Sequence, residues 1–564
     1  MTQQKPFAGR PVIYQIFTRL FTNNTPDPVP DGDLARNGAG KMNDITPAVL
    51  RSIKELGITH VWYTGVVEHA QATDYSAYGI RPDNPFVVKG KAGSPYAIKD
   101  YYDIDPDLAV SVPDRMKEFK ALLNRTHKAG LKMVIDFVPN HVARHYHSDA
   151  APKGVEDLGE KDDTTKGFDP QNNFYYLPGQ QLRTDFARSA AQTEPYVELP
   201  AKATGNDCFN ASPSRNDWYE TVKLNYGIDY QGGRATHFSP TPSTWKKMTD
   251  ILLFWAEKGV DAFRCDMAEM VPTAFWSHAV AAVKKEHPDV LFIGEVYNPA
   301  QYRDYLAAGF DYLYDKVGLY DTLRAIVCGN ASASCITSCW QATDDIKEHM
   351  LHFLENHDEQ RIASAYFAGN AEKAKPALAA GALMSPGAYM VYAGQEIGEA
   401  GMDAEGFSGN DGRTTIFDYW NPASLQKLTA PAFEKKLTPE EAALYDYYQK
   451  ILTLCNSRKA FAQGGFFDLQ YANYGRDYGY NCDRQYSFLR HFGREVYLVA
   501  VNFDPASVQV GIKIPSHAFD VLKLREGMKS AVSVMTEETV TVELRPDAPL
   551  YVQLPAYGVT VLRL

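Results

Sequence analysis

Two rhythms of apolar positions alternate along most of this chain. Val49, Leu50, Ile53 and Leu56 recur at helical spacing, Gly57 interrupts them, and Ile58 to Tyr63 follows as a short run suited to a strand. The unit recurs. Asp114 to Ala129, with Met116, Phe119, Leu122 and Leu123 on one face, is closed by Gly130 and followed by the apolar run Leu131 to Val138. Ser243 to Lys258, Gly259 and Val260 to Cys265 repeat it, and Thr273 to Glu286 leads through Pro288 to Val290–Ile293, Gly294 and Glu295. A further strand-like run, Pro11 to Phe17, precedes them all. Amphipathic helices alternating with apolar strands predict a parallel sheet covered by helices, and the number of units over residues 11–460 is too large for a small open sheet. The expected fold is therefore α/β, a (β/α)8 TIM barrel with its active site at the C-terminal ends of the strands.

The rhythm fails between His141 and Pro240, where Gly, Asp, Asn and Pro are frequent and no helical period holds. So long an interruption reads as an inserted subdomain emerging after the third strand. From Phe461 onward the runs are β-type, with Glu495–Val501, Val508–Ile514, Thr539–Leu544 and Gly558–Leu564 set off by Pro and Gly, which predicts a C-terminal antiparallel β-sandwich. The expected division is residues 1–141 and 241–460 for the barrel, 142–240 for the insert and 461–564 for the C-terminal domain.

Composition changes this picture little. At 564 residues, 45% hydrophobic and 22% charged, the chain is a multidomain globular protein. A net charge of −12 without a basic stripe argues against a nucleic-acid partner, and no apolar run is long enough to span a membrane. Cys328, Cys335 and Cys339 have neither a CxxC pair nor a nearby His, which argues against zinc. Met1 to Arg10 lacks the apolar core of a secretory signal, so the expected compartment is the cytoplasm, or the periplasm or exterior had a leader been removed. Oligomeric state is left open.

Candidate chemistry gathers at four strand ends. These are Asp136-Phe137-Val138-Pro139-Asn140-His141, Arg264 with Asp266, Glu295, and Glu355-Asn356-His357-Asp358. Buried carboxylates are costly unless paired or used, and four acidic strand ends at one barrel mouth are poorly explained by stability. Such a set suits glycosidic bond cleavage, in which one carboxylate attacks the anomeric carbon and a second protonates the leaving oxygen. Strand alternation puts Arg264 and Asp266 on one face, so Asp266 is expected to be ionised with its pKa held down. Glu295, flanked by Phe292, Ile293, Gly294 and Val296, is expected to have a raised pKa and to serve as the acid. Arg413 either reaches the cleft or forms a surface salt bridge.

These stretches resemble the signature regions of the α-amylase family of glycoside hydrolases, in order and over essentially the whole chain. Lys223-Leu224-Asn225 is similar to a fifth region, Tyr392 to Gly398 to the last barrel strand, and Leu554 to Val559 to the end of the family's C-terminal domain. The resemblance implies Asp266 as nucleophile, Glu295 as general acid/base and Asp358 as the carboxylate that stabilises the transition state. It further implies Arg264, His141, His357, Asp136 and Tyr96 as residues that hold the sugar, and Asn140 as a structural calcium ligand, although family glucosidases keep that Asn without calcium. No cofactor is required for the chemistry.

Two departures qualify the resemblance. Glu269 and Met270 stand where many amylases carry Lys-His, and Ala97 stands where exo-acting α-glucosidases carry Asp after the stacking Tyr. The second favours internal cleavage. The implied activity is a retaining hydrolase of α-1,4-glucosidic bonds in starch or maltodextrins, with an α-glucan or malto-oligosaccharide as its partner. The alternatives are an α-glucosidase or glucan transferase of the same family and, with all three carboxylates present, less readily a non-catalytic glucan-binding relative.

Overall fold

The computed structural model describes residues 10–184, 186, 194–402, 404–429 and 437–564. Most of the N-terminal stretch on which the absence of a secretory signal was argued lies outside the described residues. Eight parallel strands close a barrel: β1 Val12–Phe17, β2 His60–Thr64, β3 Lys132–Phe137, β4 Ala262–Cys265, β5 Leu291–Gly294, β6 Tyr312–Tyr314, β7 Met350–Phe353 and β8 Ala388–Tyr392. Each pairs with its neighbour in sequence, and β1 pairs with both β2 and β8. The helix-to-strand turns follow from their glycines. At Gly259 the backbone takes φ +97°, its N–H bonds the Ala256 carbonyl at 2.9 Å, and the Val260 N–H reaches back to Trp255 at 3.3 Å. That left-handed residue ends the helix Ser243–Glu257 and aims the chain into β4. Helix Pro47–Glu55 starts as its sequence requires, with the Thr46 side chain accepting from the Val49 N–H and proline in the first turn.

Alternation along the strands fills the barrel in layers. Ile13, Trp62, Val134, Ala262, Ile293, Leu351 and Ala388 belong to one buried apolar cluster inside the barrel. Two residues further along the same strands stand Gln15, Thr64, Asp136, Arg264 and Glu295. The polar site is thus the layer above the apolar plug, and the register that pairs Arg264 with Asp136 and with Ile293 sets its level.

One expectation needs adjustment. Tyr392 to Gly398 is not the last strand: β8 ends at Tyr392, and Gly394 at φ +94° turns the chain into the short helix Gln395–Ile397. The sixth strand, only three residues long, carries no periodic signal.

Between β3 and β4 the described residues form only short ladders, of which His141–Ala143 with Thr221–Lys223 brings the insert back over the barrel mouth. The C-terminal region holds a six-stranded antiparallel sheet and a two-stranded one, Val508–Lys513 with Pro549–Leu554. The central strands of the larger sheet are buried on both faces. Phe488, Tyr497, Val499 and Val561 join the barrel's core, while the alternating Leu489, Leu498, Ala500 and Leu562 pack with Val510, Ile512, Leu550 and Val552 of the smaller sheet. Buried Arg490 donates to the carbonyls of Ala460, Phe461, Gly464 and Met384, tying the sheet to the end of the barrel. All seven cysteines are free thiols.

Candidate active site

One guanidinium organises the mouth of the barrel. Arg264 Nη1 lies 2.7 Å from Asp266 Oδ1 and 3.7 Å from Asp136 Oδ1, and Nη2 lies 2.8 Å from Glu295 Oε2 and 4.0 Å from Asp358 Oδ2. Nε donates to the Tyr314 hydroxyl at 3.2 Å. All four acidic strand ends therefore converge on one cation. Glu355 does not: it is consumed by Arg361 at 2.8 Å and the Ile362 N–H at 2.7 Å, and so shapes the loop after β7. Asn356 in that loop accepts the N–H groups of Asp358 and Glu359, both at 2.9 Å, a local turn that presents His357 and Asp358.

The Asp266 carboxyl does not have the depressed pKa expected of it. Burial pushes it well up, and the neighbouring Glu295 and Asp358 charges add to that, while Arg264 only partly offsets them. The reason is a shared cation. With all four carboxyls ionised, a single arginine would leave a net −3 in a buried site, so the cluster tends to retain protons. Asp136 is pushed up to about 6, chiefly by burial against the lowering effect of Arg264. Nor is Glu295 in the apolar setting its flanking sequence suggested. Besides Arg264, it accepts from the Tyr297 hydroxyl at 2.6 Å and from the Met267 N–H at 2.7 Å. Met267 reaches that position because its backbone is left-handed, φ +42°, directly after Asp266.

Around this cluster the two histidines are held neutral. Burial and Arg264 push His357 well down, and burial with Lys223 and Lys89 takes His141 to about 3. Gln15 Nε2 donates to His357 Nδ1 at 2.8 Å, which leaves the proton on Nε2, 2.5 Å from the Tyr96 hydroxyl and 3.1 Å from Asp358 Oδ2. Tyr96 stacks on the His357 ring with centroids 5.1 Å apart and donates to Asp136 at 3.4 Å. The Trp62 indole donates to the other Asp136 oxygen at 3.0 Å.

These groups open into a cavity of about 280 Å³ lined by Tyr96, His141, Asp266, Glu295 and Asp358. Lys89, Trp218, Glu220, Tyr297 and Phe417 also line it and were not anticipated. Tyr297, two residues beyond Glu295, and Gln15, two beyond Ile13, could have been reached by strand alternation. Trp218 and Phe417 come from distant loops and had no local signal. Within the cavity walls, Asp266 Oδ2 is buried without a hydrogen-bond partner among the described residues. Ala97 faces away, packed with Ala70, Val88 and Ala143. Glu269, at the first departure noted in the sequence, accepts the N–H groups of Tyr297 and Asn298 at 2.8 and 3.0 Å and lines a neighbouring, more open groove. Arg413 forms the surface pair, with Asp411 at 2.6 Å, and also donates to the Asp358 backbone carbonyl at 2.6 Å, but it is not among the residues lining the cavity.

Asn140 does not fit a calcium ion. Its Oδ1 accepts from Lys223 Nζ at 2.7 Å and its Nδ2 donates to the Gly205 carbonyl at 2.7 Å, while the same Lys223 ammonium lies 2.5 Å from Asp207. A side-chain cation already joins Asn140 and Asp207, and a divalent ion there would meet it head-on.

A closed eight-stranded barrel with carboxylates gathered on an arginine at its C-terminal mouth has the architecture of a glycoside-cleaving enzyme. Residues 15–464 match the family described as Alpha amylase, catalytic domain, and the chain belongs to that family. It is 23% identical over 486 residues to Alpha-amylase 3 of Dictyoglomus thermophilum, covering 82% of this chain and 80% of that one. It is 22% identical over 408 residues to Neopullulanase 2 of Thermoactinomyces vulgaris, covering 70% of this chain and 57% of that protein's length. The fold is similar to that of a noncanonic maltogenic alpha-amylase from Thermotoga neapolitana, with a TM-score of 0.63, 19% identity and 99% of both chains covered. The protein is an enzyme of the α-glucan-active glycoside hydrolases. No helix among the described residues is long and apolar enough to cross a membrane.

Proposed function

We propose that the protein hydrolyses α-1,4-glucosidic bonds of maltodextrins or starch with retention of configuration. The observation that carries this reading is the division of labour at Asp266: Oδ1 is held by Arg264, while Oδ2 is left unpartnered beside the cavity that Glu295 also lines. Oδ2 attacks the anomeric carbon as the glycosidic C–O bond breaks, and Glu295 passes its proton to the departing oxygen. Glu295, now a carboxylate, then takes a proton from water as that water's oxygen displaces Asp266, restoring both groups. Asp358, with His357 Nε2 at 3.1 Å, faces the sugar hydroxyls and the positive charge that develops at the ring. Tyr96 and His141 frame the sugar, and Arg264 and Asp136 hold the carboxylates in register.

In this reading residues 1–141 and 241–460 carry the chemistry, 142–240 supply the roof of the cleft and 461–564 brace the barrel, and the chemistry needs no cofactor. Internal cleavage is favoured because nothing acidic at position 97 reaches the cavity to hold a chain end. The test is time-resolved product analysis with maltoheptaose. Mixed short oligosaccharides appear first, and Asp266→Asn reduces turnover by about 10⁴-fold or more while the protein stays folded. Early accumulation of glucose alone would establish chain-end action, and products longer than the substrate would establish transfer. Retention of most activity by Asp266→Asn would end the proposal.

A further inference from the structure

Outside the active site, three carboxylates meet in the interior. Glu68 lies on the short strand Val67–His69, opposite Asp100 on the strand Ile98–Ile104, with the ladder irregular on both sides of Glu68. Asp103 lies on the second strand. One oxygen from each residue falls within 4.8 Å of the others, and the three residues are 1%, 0% and 4% exposed.

Their partners are unequal. Asp100 accepts from the Ser148 hydroxyl at 2.6 Å and from the N–H groups of Tyr102 and Ala150 at 2.8 and 2.9 Å. Asp103 accepts from Arg115 Nε at 3.0 Å and from the Ile104 N–H at 2.7 Å. Neither oxygen of Glu68 has a hydrogen-bond partner among the described residues. Lys99, the nearest ammonium in sequence, is bound to Asp83 at 3.2 Å. Three carboxylates against the single Arg115 guanidinium leave a buried −2.

We propose that Glu68, Asp100 and Asp103 form a binding site for one divalent cation of calcium type. The charge matches: a dication neutralises the residual −2. The spacing allows it as well, since oxygens held at about 2.3–2.6 Å across a calcium ion are separated by up to about 5 Å, and a site walled by buried protein carboxylates suits calcium better than magnesium, which keeps several of its waters. Without a cation the alternative is a proton, and burial together with Asp100 pushes the Glu68 carboxyl up to about 9. The site is distinct from the Asn140 position, which Lys223 fills. Its place in the fold gives it a task. It would clamp the strand that follows Tyr96 both to the insert, through Ser148 and Ala150, and to the start of helix Arg115–Lys128.

The test uses the full chain, stripped with chelator, equilibrated with calcium chloride and desalted. Wild type is expected to retain one equivalent of calcium by elemental analysis, and its unfolding temperature to rise with added calcium. Glu68→Gln is expected to lose that equivalent, with at least a tenfold weaker affinity by calorimetry and no calcium-dependent shift. Should Glu68→Gln fail to fold, Asp103→Asn and the calcium content of wild type decide the matter in the same way. The proposal is overturned if stripped wild type takes up no calcium, or if Glu68→Gln or Asp103→Asn binds as much as wild type. A merely protonated Glu68 gives the first of these results.

Discussion

Asp136 offers a quantitative test of the crowded carboxylate cluster. Its carboxyl rises from 3.8 to about 6 in the folded chain, an increase of roughly 2 pH units that corresponds to about 3 kcal/mol. The sign follows from proton counting. Between about pH 4 and 6 the folded state binds more protons at this position than the unfolded state, so stability falls as pH rises through that window. Above it the ionised carboxylate costs the protein the full amount. Asp136→Asn keeps the shape and an acceptor for the Trp62 indole while removing the charge. The variant should therefore be more stable than wild type by up to about 3 kcal/mol at pH 7, with the advantage shrinking to near zero by pH 4. Activity should fall by about ten- to a hundredfold, the value of one charge-assisted contact around Arg264. Urea unfolding of both proteins across pH 4–8, fitted with a common m-value, reads the difference directly. A variant less stable than wild type at pH 7, or a gap independent of pH, would refute the electrostatic reasoning.

Lys223→Met leaves Asn140 and Asp207 without their shared ammonium, and because Asp207 is about a third exposed the expected loss is about 2 kcal/mol by thermal unfolding. Arg490→Met strands four buried carbonyls and should cost about 3 kcal/mol or more, again by denaturant unfolding, with the kinetic constants of the folded fraction unchanged.

The sequence made the barrel readable wherever a strand was long enough to carry an apolar run and a glycine marked the helix before it. Tyr312–Tyr314 has the glycine, Gly309 at φ +112° after helix Tyr302–Ala307, but at three residues it is too short to carry an apolar run, which is why the sixth strand emerges only from closure of the sheet. The acidic strand ends were legible because alternation and position at a strand's end are local properties. Their protonation was not. Reading Arg264 as the private partner of Asp266 missed that Glu295, Asp136 and Asp358 compete for the same guanidinium, a fact of three dimensions. The Asn140 position shows the same limit, since its neighbour Lys223 lies 83 residues away.

The central strands of the C-terminal sheet have no solvent face of their own: their alternate residues belong to the barrel's core and to the smaller sheet. Each half of the molecule therefore serves as the other's solvent shield, and the two should melt in a single transition. A chain cut after the last barrel helix would retain every residue proposed for catalysis yet bare a broad oily surface, and it should precipitate during expression.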